Sequence, residues 1–279
     1  MTLDAFESKM PDYIQHLKES EMSDNTIKKY SLALRNFIKY AIANDCAKLS
    51  KECIVEHKNY LIKKYKPATI NLYIVGLNNY LKYLGMEDMR VKTLRIQAHN
   101  SLENCLTNKE YKRMLEKAAN RKNNTIYYVM RALASTGIRV STLEYFTVKT
   151  LKKGSCIITN KGKTRSIVIP DKTCKELLEF CRSENITDGY VFFGRNPEKV
   201  ISEVTVLRWL KSVAQTAGVD EDKAFPHNLR HLFAKNFIHK YRDLTELSDI
   251  LGHSKIETTR IYTRTSVKEK RQKLNSLDL

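Results

Sequence analysis

The sequence has no stretch of about 18 apolar residues, the length that a membrane-spanning helix requires. Its first ten residues, Met1 to Met10, include two acidic side chains and lack the basic start and apolar segment of a secretory leader. These two absences predict a protein that is neither inserted in a membrane nor secreted. We therefore expect a cytoplasmic protein.

Cysteine pairs at metal-binding spacing are also missing. No two of the six cysteines form a C-x-x-C pair. Structural zinc sites normally show such short spacings, and disulfide scaffolds are small and secreted. We therefore predict reduced thiols and no structural metal, the cysteines being Cys46, Cys53, Cys105, Cys156, Cys174 and Cys181.

Two further signatures of cofactor chemistry are absent. No glycine-rich loop has the G-x-x-x-x-G-K spacing that binds nucleotide phosphates, so ATP is not implied. No cluster of Asp and Glu suggests a two-metal site. The sequence predicts chemistry that needs no cofactor.

Positive charge is present in excess. The chain carries 49 Lys and Arg against 31 Asp and Glu, a formal net charge of +18. Neutralising the phosphates of a nucleic acid releases condensed counterions, so a surplus of this size favours a nucleic-acid partner. The alternative is a basic but otherwise ordinary enzyme.

The first 84 residues show apolar positions at helical spacing throughout. Polar residues from Ser23 to Asn25 precede one apolar run, and Pro67 begins another that Gly85 ends. This pattern predicts a compact unit of four helices.

Between Gly85 and Cys105 the periodicity fades, and basic and polar residues dominate. We predict a helical domain over 1–97, a linker over 98–104 and a second domain over 105–279. The alternative is a surface loop inside one domain.

The second half mixes helical and strand-like patterns. Thr107 to Glu110 fits a capped helix start. Strands are predicted at 146–148, 155–159 and 165–169, the last two joined by a hairpin turn at 160–164. Further helices are predicted at 127–135, 173–181, 203–217, 226–241, 244–251, 256–263 and 267–274. The fold class is therefore mainly α with a small β-sheet.

Three titratable side chains share one face of the helix that Pro226 begins. His227, Arg230 and His231 are spaced i, i+3 and i+4, so they project from the same side. A helix face buried in a core rarely carries three such groups. The alternative is a solvated or salt-bridged face.

Two more candidates follow. His253 lies in a tight turn after Gly252, next to a helix start that Ser254 and Glu257 cap, a place that favours an anion. Tyr262 follows nine residues later. Read alone, the histidine is more typical of a surface residue, and the tyrosine of a packed side chain.

The interpretation changes when these residues are considered together with two motifs upstream. Arg139 in T-G-I-R-V-S and Lys161 in N-K-G-K-T-R precede P-H-N-L-R-H-L-F-A, L-G-H-S-K-I-E-T-T and I-Y-T. These motifs, in this order, resemble the active-site motifs of tyrosine recombinases of the phage integrase family. The resemblance covers Thr107 to Thr263 in detail and the N-terminal helices more loosely. In size the chain is similar to Xer-like two-domain members.

The resemblance implies a SAM-like core-binding domain followed by a mixed α+β catalytic domain. It implies a site-specific recombinase that cuts and rejoins DNA through a 3′-phosphotyrosyl intermediate and a Holliday junction, in integration, excision or resolution. Tyr262 would be the nucleophile. His227, whose reference pKa lies near working pH, would take its proton, and His231 would brace the site.

The remaining residues would act on the phosphate and the leaving oxygen. Arg139 and Arg230 offer planar forks that can bind non-bridging oxygens. Lys161 is expected to protonate the 5′-oxygen, with Lys163 as the alternative, and His253 to donate to the phosphate. Family members usually carry an acidic residue three positions after the first arginine, where this chain has Thr142.

The implied partners are double-stranded DNA sites and other copies of the chain. The family forms a tetramer on two DNA sites. The four subunits would be copies of this chain, the alternative being a mixture with a related recombinase, and the two domains would clamp DNA between them. The tail, 267–279, would dock on a neighbouring subunit; the alternative is a self-packed helix. Three rival functions are a type IB topoisomerase-like enzyme, a non-catalytic DNA-binding regulator and an RNA-binding helical protein.

Overall fold

The computed structural model describes residues 1–46, 48–95, 104–160, 163–253, 256–263, 271 and 275–276, with backbone alone at 159, 160 and 163. The chain divides into two compact units, Met1–His99 and Asn100–Leu279. The predicted linker, 98–104, lies outside the described residues except for Asn104. No helix in the described ranges is both long and apolar enough to cross a membrane.

The first unit is helical, as predicted, but its described part contains five helices where four were expected. Lys9 separates the first two because Pro11, in the first turn of the second, has no N–H to continue a helical ladder. Ser23 caps the third helix and Pro67 starts the fifth. The helices are α1 (Leu3–Ser8), α2 (Met10–Glu19), α3 (Asp24–Ala43), α4 (Lys51–Lys64) and α5 (Pro67–Tyr83).

Aromatic rings fill the core of this unit. Phe6, Phe37 and Tyr80 are fully buried, and Phe6 makes edge-on contacts to both of the other rings. The Tyr80 hydroxyl donates to the Phe6 carbonyl. Helices α3 and α5 pack closely because Gly76 has no side chain: a Cβ there would lie 2.8 Å from the Cβ of Ala33.

The segment after α5 is bound to that helix. Asn78 donates to the carbonyl of Val91 and accepts from its N–H, at 2.7 and 3.0 Å. Asn71 does the same for Leu94, at 2.9 and 2.7 Å. The two asparagines are seven residues apart, so they lie on one face of α5. The segment after Gly85, where the helical periodicity of the sequence fades, is therefore held in place at least to Leu94.

His57 gives this unit a pH-dependent stability. It is 2% exposed, and its Nε2 lies 3.1 Å from the side-chain oxygen of Asn36. Burial lowers the pKa of the His57 imidazole to about 4. The unfolded chain takes up this proton near pH 6.5 and the folded chain only near pH 4, so the free energy of unfolding falls as pH drops through that window.

We expect His57 to remove roughly 2 to 3 kcal/mol of stability between pH 7 and 4.5. Urea unfolding of the wild type and of His57→Gln at both pH values measures this effect. Between pH 7 and 4.5, the free energy of unfolding of His57→Gln should fall by roughly 2 to 3 kcal/mol less than that of the wild type. Equal losses in both proteins would contradict the prediction.

The second unit is mixed, as predicted. Thr107 and Glu110 form the expected capping box at its first helix. Its elements are α6 (Asn108–Ala119), α7 (Thr125–Thr136), α8 (Val148–Lys153), β1 (Ser155–Asn160), β2 (Lys163–Val168), α9 (Asp171–Ser183), α10 (Glu203–Thr216), α11 (Pro226–Tyr241) and α12 (Leu244–Leu251).

The predicted hairpin is present. Strands β1 and β2 pair antiparallel, from Ser155 opposite Val168 to Asn160 opposite Lys163. The strand predicted at 146–148 is absent: Thr147 caps α8 with its side chain and makes only a single bridge, to Tyr190.

The helix predicted at 256–263 is instead two short 3-10 turns, Ile256–Thr258 and Arg260–Thr263. The helix predicted at 267–274 lies outside the described residues except for Arg271.

Candidate active site

Helix α11 carries three of the predicted site residues into different environments. Pro226 occupies its first turn, so the helix begins where the sequence predicts. His227 is exposed, His231 is half-buried and Arg230 is fully buried, at 0% exposure. Their shared face therefore runs from the surface into the unit.

The guanidinium of Arg230 is held by the ends of two other helices. Nη1 donates to the carbonyl of Gly137, which ends α7, and Nη2 donates to the carbonyl of Leu251, the last residue of α12, both at 2.7 Å. Carbonyls at helix C-termini lack helical partners and carry partial negative charge, so they stabilise a cation. Nη2 also lies 2.9 Å from Nε2 of His253.

These contacts use three of the five N–H groups of Arg230. Its Nε is buried and has no partner in the described part of the chain. An unpaired buried donor is costly, so this N–H is available to any acceptor that reaches it.

Positive charge is concentrated around Arg230. Burial, followed by the charge of Arg139, lowers the pKa of Arg230 to about 10; the charge of Arg165 adds to this fall, and Tyr262 opposes it. Among the described side chains, none of these three arginines forms an ion pair with Asp or Glu. Such a cluster attracts an anion.

Tyr262 enters this cluster from the 3-10 turn Arg260–Thr263. Its side chain is 6% exposed, and its hydroxyl forms a 2.9 Å hydrogen bond with Nδ1 of His231. Burial raises the pKa of the Tyr262 hydroxyl, and the charges of Arg230 and Arg139 oppose that rise. The phenol is therefore protonated at rest but lies close to cations that stabilise its anion.

His231 is suited to accept the phenolic proton. Burial, followed by the charges of His227 and Arg230, lowers the pKa of His231 to about 4. The imidazole is therefore neutral at physiological pH and has one nitrogen free to accept.

His227, which was predicted to take this proton, is not bonded to Tyr262. Its ring lies 4.4 Å from that of His231, centre to centre. Although part of its side chain is exposed, neighbouring groups partly desolvate the ring, and this desolvation with the charges of Arg230 and Arg139 lowers the pKa of His227 as well. The spacing i, i+4 placed both histidines on one face, but it could not show which of them meets the tyrosine.

His253 lies between Arg230 and a threonine that the sequence did not single out. A guanidinium only donates, so Nε2 of His253 accepts from Arg230 and its Nδ1–H donates to Thr259 Oγ1, at 2.8 Å. Burial and the charge of Arg230 lower the pKa of His253 to about 4, in keeping with this neutral form.

Arg139 is the exposed member of the arginine cluster. With Glu203 and His227 it lines a cleft of about 170 Å³. Thr142, where the family usually has an acidic residue, is buried. The acidic residue two positions later, Glu144, is exposed.

The two candidate general acids are not placed by the structure. Lys161 lies outside the described residues, and only the backbone of Lys163 is described, at the start of β2. Among the described residues, no three His, Cys, Asp or Glu side chains are grouped so that they could hold a metal ion.

Comparison with known proteins gives matches over nearly the whole chain. The model of the phage integrase family matches residues 104–269, and that of the N-terminal SAM-like domain of phage integrases matches residues 10–88. The tyrosine recombinase XerA of Pyrococcus furiosus is 27% identical over 277 residues, which cover 97% of this chain and 94% of XerA. The TnP I resolvase of Bacillus thuringiensis is 25% identical over 95% of this chain and 98% of its own.

Solved structures share the fold. The XerH recombinase in a post-cleavage complex with palindromic difH DNA superposes with a TM-score of 0.73 at 20% identity, covering 98% of this chain and 85% of XerH. A lambda integrase tetramer bound to a Holliday junction gives 0.72 at 19% identity, covering 96% of this chain and 80% of that one.

Proposed function

Since the chain belongs to the phage integrase family and is a tyrosine recombinase that cleaves and rejoins DNA, we propose that Tyr262 is its nucleophile. The observation that carries this assignment is the 2.9 Å hydrogen bond between the Tyr262 hydroxyl and a neutral His231, beside the arginine cluster. A phenol with a raised pKa is inert unless a base and nearby cations act on it. Both are in place.

In the proposed cleavage step, proton transfer, attack on phosphorus and departure of the 5′-oxygen occur together. The hydroxyl proton of Tyr262 passes to Nδ1 of His231 while its oxygen bonds to the scissile phosphorus. The bond from phosphorus to the 5′-oxygen breaks, and that oxygen takes a proton from Lys161. His231 thus replaces His227 as the first proton acceptor, and His227, in ring contact with it, is the onward route to solvent.

Arg139 and Arg230 offset the charge that develops on the phosphate. Arg230 is preorganised by carbonyls of two helix ends, so it pays little reorganisation when the transition state forms. The role of His253 as a phosphate donor stays a prediction, and its contact with Arg230 supports a second role, in orienting that guanidinium. Because the phosphotyrosyl bond keeps the energy of the broken ester, religation needs no cofactor.

The general-acid assignment can be tested with a modified DNA. Lys161→Ala should cut ordinary DNA at least about a hundredfold more slowly. A 5′-bridging sulfur in place of oxygen leaves as a thiolate without needing a proton, so it should restore cleavage by this variant. Lys163→Ala is the matched control. A variant that stays slow on the sulfur substrate would move the assignment to Lys163 or another acid.

We further propose that copies of the chain assemble as a tetramer on two double-stranded DNA sites in the cytoplasm. The net charge of +18 supports a DNA partner for both the 1–97 and the 105–279 domains, which would clamp the duplex. The tail, 267–279, is proposed to link neighbouring subunits.

The proposed function is tested by finding the DNA that the protein traps. A library of nicked duplexes is incubated with the protein, covalent adducts are retained after denaturation, and the attached DNA is sequenced. Two copies of the recovered site should then yield Holliday junctions. Relaxation of supercoils with no junctions between matched sites would instead support a type IB topoisomerase-like enzyme.

A further inference from the structure

Arg165 reaches from β2 to the turn that ends α12. Its Nη1 donates to the carbonyl of Ile250 at 3.3 Å. The side chain occupies the space beside Gly252, where a Cβ would lie 2.5 Å from its Cζ and 2.8 Å from its Cδ. Gly252 also has φ of +63°, a conformation that favours glycine. The turn thus admits Arg165 only because residue 252 has no side chain.

The same turn builds part of the active site. Leu251 accepts from Arg230, and His253 contacts the same guanidinium. The N–H groups of Gly252 and His253 close the end of α12 on the carbonyls of Asp249 and Ser248. The position of this turn therefore decides where two of the groups that hold Arg230 lie.

Each of the last two carbonyls of α12 accepts a hydrogen bond from a different arginine. The helix supplies no N–H to the carbonyls of Ile250 and Leu251, and Arg165 and Arg230 donate to them respectively. Two guanidinium groups on consecutive carbonyls fix the turn from β2 as well as from α11. This placement favours the cations because the end of α12 carries partial negative charge.

The position is unfavourable for a cation in other respects. Arg165 is half-buried, and burial together with the charge of Arg139 lowers its pKa. No described carboxylate forms an ion pair with it. An apolar side chain would fill the same space without this repulsion. What the guanidinium adds, among the described contacts, is its hydrogen bond to the turn.

We propose that Arg165 is a positioning residue for strand cleavage: it holds the turn from Ile250 to His253 so that Leu251 and His253 keep Arg230 in place. The proposal rests on the function proposed above, in which Arg230 binds the scissile phosphate. Arg165 itself is not required to touch the DNA.

Hydrogen exchange in the DNA-free protein tests the structural half. Arg165→Met keeps an unbranched stem beside Gly252 but loses the donor. The backbone amides of Gly252 and His253 should exchange about tenfold faster in this variant, with the melting temperature little changed. Arg182→Met, at the exposed end of α9, is the matched control. Unchanged exchange at both amides would overturn the proposal.

A double-mutant cycle tests the functional half. Arg165→Met should lower the single-turnover cleavage rate about ten- to a hundredfold, with DNA affinity within about threefold. Adding Arg165→Met to His253→Ala should slow cleavage by no more than about threefold beyond His253→Ala alone, because both changes release the same turn.

If the double variant loses cleavage rate by the product of the two single-variant losses, Arg165 acts independently of the turn, and the positioning role would be wrong. A wild-type protein that forms no covalent adduct would defeat the proposed function, and the exchange measurement would still decide whether Arg165 holds the turn.

Discussion

Replacing Tyr262 by phenylalanine is expected to reduce covalent attachment to DNA at least about a thousandfold, to background, while DNA affinity stays within about threefold. The substitution removes only the hydroxyl that His231 contacts at 2.9 Å. The ring remains, and it packs 5.4 Å from the His231 ring, centre to centre. Binding by the arginine cluster does not need the hydroxyl.

Adduct formation is measured on a nicked suicide duplex by denaturing electrophoresis, and affinity by fluorescence anisotropy. Tyr241→Phe is the control, because Tyr241 lies at the end of α11 with 56% of its surface exposed. Tyr241→Phe should behave as the wild type. Adduct formation by Tyr262→Phe at the wild-type rate would remove the nucleophile assignment.

Replacing Arg230 by lysine is expected to slow cleavage about a hundred- to a thousandfold, with a much smaller loss of affinity. Lysine keeps the charge but lacks the planar fork that spans the carbonyls of Gly137 and Leu251 and the ring of His253. The fixed donors are lost, whereas the long-range attraction for DNA remains.

Single-turnover rates and affinities of Arg230→Lys separate these effects, with Arg182→Lys as the control. Because Arg230 is fully buried, melting temperatures are compared as well, and Arg139→Lys provides a second test at an exposed position. A proportional fall in rate and affinity in both variants would mean that the two arginines only anchor DNA.

The helices that position the site were largely predictable from local signals. Helix α11 spans the predicted 226–241, and α12 spans the predicted 244–251. Pro226 fixes φ at the start of α11, and Gly252 supplies the left-handed residue that ends α12. These signals depend on neighbours in the chain, so the sequence carries them directly.

Elements decided by competition between local preferences were harder to predict. The residues at 146–148 resemble a strand, but the capping box of Thr147 and Thr150 starts α8 there. The first unit has one helix more than the predicted four in its described part because Pro11, whose missing N–H falls in the first turn of α2, separates α1 from α2.

The contacts that complete the site are long-range and left no sequence signal. Which of His227 and His231 meets Tyr262 depends on how the 3-10 turn Arg260–Thr263 packs on α11. Arg165 bonds to Ile250 across 85 positions of the chain. Spacing rules reach only along one element. They could therefore name His227, His231 and Tyr262 but not their partners, and they did not single out Arg165.

Identifying the residue that is joined to DNA tests the assignment of Tyr262 as nucleophile. The adduct trapped on a suicide duplex is digested with nuclease and protease, and the peptide that carries a nucleotide is sequenced by mass spectrometry. If Tyr262 is the nucleophile, a single modified peptide is expected, with the 3′-phosphate on the oxygen of Tyr262. A nucleotide on any other tyrosine, or on serine, would contradict it.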